Sequence, residues 1–118
     1  MNGEAHVVFF LILGIIVSLS AIYDFVGPAA LKADIARWGY QPGFERVLGL
    51  IKLVGAWGLF IGMVASKIGL LASAGFVVYF FLAMRTHKKA NDSLAQTLPA
   101  IVLFGLSVAC VAAGLMAS

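Results

Sequence analysis

The residues with the greatest capacity for chemistry in this sequence are charges set in apolar surroundings. Lys52 interrupts the run Val47-Leu-Gly-Leu-Ile-Lys52-Leu-Val-Gly-Ala-Trp57. It follows Phe44 by eight residues, about 12 Å along a helix at about 1.5 Å per residue. A lysine at mid-helix in a bilayer costs about 2.5–3.5 kcal/mol unless its amine reaches the headgroups or finds a partner. Asp24 is the candidate partner, because the first apolar run ends on the face from which the second begins. Glu45 precedes Lys52 by seven residues, which places both on one helix face two turns apart, with Arg46 beside it. Asp24, Glu45, Arg46 and Lys52 could hold an anionic headgroup, a quinone oxygen or a proton. They could equally tie two helices together at the membrane rim.

A second group, Arg85-Thr86-His87-Lys88-Lys89, reads most simply as an anchor on anionic lipid. The His87 imidazole offers a proton-exchange alternative. His6 falls on the opposite expected face, so a metal or haem site shared with His87 is not expected. Cys110 is the single cysteine, which excludes an intrachain disulfide or dithiol mechanism. No HExxH, CxxC, phosphate-cradling glycine loop or GxSxG is present, so the chain shows no autonomous catalytic constellation. No intrinsic cofactor or metal site is expected. A redox role would rely on a partner's cofactor, with quinone as the candidate ligand.

The elements that must position these groups follow from composition. Of the 118 residues, 63% are hydrophobic and only 11% charged; soluble domains carry about 45–50% and about 25%. The net charge of +3 arises from eight Lys or Arg against five Asp or Glu, and gives no reason to expect nucleic acid. The length accommodates an all-α bundle of four transmembrane helices in a single integral membrane domain, residues 1–118, with spans at about 5–26, 44–65, 68–84 and 98–117. The first run lacks the basic residues of a signal peptide's start and is expected to be retained. Asn2 after Met1 breaks the myristoylation pattern.

Gly27-Pro28 ends the first span, and Leu31, Ile35 and Trp38 recur at helical spacing, predicting a short interfacial helix before Pro42-Gly43. Pro99 is expected in the first turn of the last helix. Lys32, Arg37, Arg46, Arg85, Lys88 and Lys89 share one expected side against Lys67 on the other. With four spans, the positive-inside rule then places both termini outside the cytoplasm, in a bacterial inner membrane.

Thirteen glycines mark a chain equipped for close helix packing. Gly58 and Gly62 form a small-xxx-small step, with Gly55 and Gly75 as further packing positions, within this chain or toward a second subunit. Tyr23, Trp38 and Tyr40 suit one membrane interface. Trp57 and Tyr79 lie deeper, and either pack or line a quinone or lipid groove.

Taken together, Asp24-Phe25 with Gly27-Pro28, the stretch Pro42-Gly-Phe-Glu-Arg-Val-Leu-Gly-Leu-Ile-Lys-Leu-Val-Gly-Ala-Trp-Gly-Leu59, and Ala72-Ser-Ala-Gly75 resemble the DoxX-like family of small four-helix membrane proteins. The resemblance implies membrane subunits of quinone-linked oxidoreductases, including thiosulfate oxidation, or of redox and stress complexes. It also implies that Glu45, Arg46 and Lys52 belong to a candidate site. The leading expectation is a small accessory or anchoring subunit of a larger inner-membrane complex, with membrane lipids as neighbours and a homo-oligomer as a further arrangement. The competing expectation is an intrinsic quinone-, lipid- or proton-handling site at the Asp24–Lys52 cluster.

Overall fold

A computed structural model describes residues 4–117; the Met1-Asn2 start lies outside them. The described residues form five helices: α1 (Ala5–Val26), α2 (Ala29–Arg37), α3 (Phe44–Gly62), α4 (Ser66–Lys89) and α5 (Leu94–Leu115). Gly27 ends α1 in the left-handed region (φ 63°), and its N–H closes on the Tyr23 carbonyl at 3.0 Å. A side chain is disfavoured in that conformation, so glycine provides the stop. Pro28 then starts α2, which buries Leu31 and Ile35 one turn apart.

The four long helices close a ring in the order α1, α3, α4, α5, and α2 lies against α3. Their common core contains Phe10, Leu13, Val17, Leu59, Phe76 and Phe80. Backbones meet most closely where Gly62 faces Gly69: a Cβ at Gly62 would stand 2.3 Å from the Gly69 Cα. The outer surface is the reverse of a soluble bundle's. Leu19, Val54, Trp57 and Leu71 are exposed, whereas Asp24, Glu45 and Lys52 are buried. Such a surface suits lipid.

Four membrane-spanning helices were the expectation, and here the fold differs. Among the described residues, three helices are long and apolar enough to cross a membrane: α1, α4 and α5. The remaining long helix, α3, carries Glu45, Arg46 and Lys52 within nineteen residues and falls outside that class. Placing both termini on one side requires an even number of spans, and the three apolar helices do not supply it.

The last helix also begins earlier than Pro99 suggests. Ser93 Oγ accepts the Gln96 N–H at 3.2 Å, while the Ser93 N–H donates to Gln96 Oε1 at 2.7 Å. This reciprocal cap starts α5 at Leu94, so Pro99 lies inside the helix rather than in its first turn. At the other side of the turn, α4 continues to Lys89, past the expected span end at about residue 84, so Arg85, His87, Lys88 and Lys89 stand on helix.

Candidate functional site

Asp24 stands in the last turn of α1, and Lys52 in the middle of α3. Gly49, three residues before Lys52, brings these helices together: a Cβ there would lie 3.2 Å from both the Ala21 carbonyl and the Asp24 Cβ. The Lys52 amine therefore reaches across to α1, donating to Asp24 Oδ2 at 2.8 Å and to Ser20 Oγ at 2.8 Å. The two side chains are only 11% and 3% exposed. An ammonium carries three N–H donors, so one remains beyond these two bonds. The Tyr79 ring centroid lies 5.7 Å from Nζ, within cation–π range.

The pair lines a partly open cavity of about 360 Å³ to which all five helices contribute. Leu48, Ile51, Phe80 and Leu103 supply apolar walls, and Ser20, Asp24, Lys52 and Tyr79 the polar end. Pockets for small ligands typically hold about 300–1,000 Å³, with mostly apolar walls and a few polar groups that set orientation. This cavity has that character.

Trp38, Tyr40, Thr86 and His87 line the cavity as well. Asp92 ties this part together. Its carboxylate accepts Arg37 Nε (3.0 Å), Arg37 Nη2 (3.1 Å) and Trp38 Nε1 (3.0 Å), and faces His87 Nδ1 at 2.7 Å. An ionised carboxylate only accepts, so His87 Nδ1 carries the proton in this contact. The hydrogen bonds from Arg37 and then Trp38, with a further one from His87, hold the Asp92 carboxyl well below the usual carboxylate range. The latch joins the end of α2 to the α4–α5 turn.

The structure brings Asp24 and Lys52 into contact and sets Glu45 close enough for its charge to act on Asp24. Glu45 is buried, and its Oε2 has no hydrogen-bond partner among the described residues, but it does not line the cavity. Arg46 is exposed and does not join the pair. Gly55 and Gly58 face Phe76 and Ala72 within the bundle, whereas Gly75 is exposed and a Cβ there would meet no atom of the bundle within 4 Å. Trp57 points outward at 65% exposure; Tyr79 lines the cavity. His87 turns inward to Asp92, while Arg85, Lys88 and Lys89 are exposed.

Sequence reasoning did not single out Ser20, Gly49 or the Asp92 latch. A glycine one turn before a mid-helix lysine was the available signal for Gly49. No spacing rule links Arg37 and Trp38 to Asp92, more than fifty residues later.

A small helical membrane protein with a buried ion pair at the end of an apolar cavity is the class this geometry defines. More particularly, the chain belongs to the DoxX-like family, whose model matches residues 8–110. No curated protein and no solved structure matches it.

Proposed function

We propose that the cavity receives the polar head of a membrane-dissolved quinone, with Lys52 as the group that recognises it. The supporting observation is the Lys52 amine at the cavity's polar end, held by Asp24 and Ser20 with one donor left over. A quinone offers carbonyl acceptors on a flat apolar ring, which suits that donor and the walls formed by Leu48, Ile51, Phe80 and Leu103. The Tyr79 hydroxyl, which makes no hydrogen bond among the described residues, is a second donor. A bound quinone would supply two-electron redox chemistry. The chain's own part is to bind and orient the ring and to keep a fixed charge beside it. This role places the protein in an energy-coupling membrane such as a bacterial inner membrane.

A second reading, an accessory subunit of a larger redox assembly, is favoured by Gly75. This small residue on α4 faces away from the bundle, where a partner helix could approach closely. Mild-detergent extraction followed by mass spectrometry tests it: a defined larger assembly supports a subunit role, and an isolated chain opposes it.

Equilibrium titration of the purified full chain with a short-chain quinone tests the binding role. Saturable binding that falls at least about tenfold in Lys52→Met/Asp24→Asn, as loss of a charge-assisted hydrogen bond of about 1.5–3 kcal/mol requires, supports it. Unchanged affinity in a folded double variant overturns it.

A further inference from the structure

The end of α4 carries a second concavity. A groove of about 430 Å³ runs between the α2 end and α4, lined by Arg37, Trp38, Tyr40, Leu82, Arg85, Thr86, Lys89 and Ala90. Three cations from two separate elements thus share one groove. Arg37 is already matched, by Asp34 and Asp92. Arg85 and Lys89 are not: neither has a carboxylate within ion-pairing distance among the described residues. They stand four residues apart on one helix, where like charges repel. The α4 dipole rewards a cation in its last turn, which accounts for Lys88 and Lys89 but not for Arg85 and Arg37 converging on the same hollow. An anion seated between Arg85 and Lys89 removes the repulsion.

We infer that this groove binds the phosphate of an anionic phospholipid, with Arg85 and Lys89 as its principal ligands. Phosphate is the shared chemistry of a lipid headgroup and of a free anion, and the surroundings favour the lipid. Trp38 and Tyr40 form the groove's wall, the two ring types that settle at headgroup depth. Leu82, about half exposed, continues from the groove onto the apolar outer face of α4 with Val78 and Phe81, where an acyl chain can lie. Lys88 and His87, equally close in sequence, do not line the groove. Arg85 and Lys89 thus form a defined site, distinct from a general basic anchor. The groove shares Trp38, Tyr40, Leu82 and Thr86 with the neighbouring cavity, whereas Arg85 and Lys89 line the groove alone.

The test uses the delipidated full chain with Trp57→Phe, which leaves Trp38 as the only tryptophan. It is reconstituted into vesicles of phosphatidylcholine containing phosphatidylglycerol with brominated chains, or brominated phosphatidylcholine as the comparison. The expected result is stronger quenching of Trp38 by the brominated phosphatidylglycerol. The preference should fall about fivefold for each of Arg85→Gln and Lys89→Gln, and be retained in Lys88→Gln. Both key residues are exposed, and circular dichroism with the unfolding temperature verifies that each variant is folded. Equal quenching by the two lipids, or equal loss in Lys88→Gln, overturns the site. Inorganic phosphate removing the preference at submillimolar concentration would identify a soluble anion as the ligand and overturn the lipid assignment.

Discussion

Lys52 Nζ on α3 stands 2.8 Å from Asp24 Oδ2 on α1, and this buried contact joins the two helices at the point where the cavity has its polar end. The same two residues therefore join the helices and, in the proposed quinone role, form the recognising group. Substitutions can separate these roles, because removing one charge differs physically from removing both.

Lys52→Met alone leaves Asp24 buried without its cation, and should destabilise the bundle by about 3–5 kcal/mol. Lys52→Met/Asp24→Asn removes the uncompensated charge and should recover most of that loss. Unfolding in detergent, followed by circular dichroism, measures both. A double variant as unstable as the single one would contradict an ion-pair origin for the effect.

Glycines on the two sides of the bundle should respond differently to alanine. At Gly62 the added methyl meets backbone, 2.3 Å from the Gly69 Cα, and Gly62→Ala should cost about 1–3 kcal/mol or more. At Gly75 nothing lies within 4 Å, and Gly75→Ala should be neutral or gain up to about 1 kcal/mol from helix propensity. Unfolding of the isolated chain tests this contrast. In a native assembly, loss of a partner from Gly75→Ala would instead support the outward face as a contact.

The Asp92 latch predicts a particular acid limb. Its carboxyl is held low by Arg37, Trp38 and His87. Its contribution to stability is therefore fully present above the unfolded aspartate value of about 3.9, and is lost as the pH falls through the lower folded value. Lowering the pH from about 7 to about 5 should leave this contribution intact. The unfolding temperature of Asp92→Asn should lie below that of the parent at neutral pH, and the gap should begin to narrow only below about pH 4, closing as the pH falls through the lower folded value. Parallel curves across that range would show that Asp92 is not held by these contacts.

The elements next to strong local signals were legible in the sequence. Gly27-Pro28 marks the end of α1, and the spacing of Leu31 and Ile35 marks α2. At α5, two local signals competed. Pro99 is a valid first-turn residue, but the reciprocal Ser93–Gln96 cap satisfies two backbone groups and fixes an earlier start. For α3, hydropathy alone suggested a span, while its three charges distinguish it from the three apolar helices. The site was partly legible for a similar reason. A lysine in an apolar helix demands a partner, and Asp24 was the acid within reach; Ser20 and Tyr79 depend on how α1 and α4 are rotated about their axes, which pair spacing does not specify. The Asp92 latch joins positions more than fifty residues apart, through contacts that exist only once the ring of helices has closed.

A photoreactive quinone analogue, cross-linked to the full chain in membranes and mapped by peptide mass spectrometry, tests the central claim most directly. The account predicts labelling of cavity residues on α3 and α4, around Leu48–Lys52 and Tyr79–Ala83, competed by unlabelled quinone and lost in folded Lys52→Met/Asp24→Asn. Labelling confined to the outward residues Val54, Trp57 and Leu71, without competition, would show that quinone merely dissolves around the bundle, and would contradict the claim.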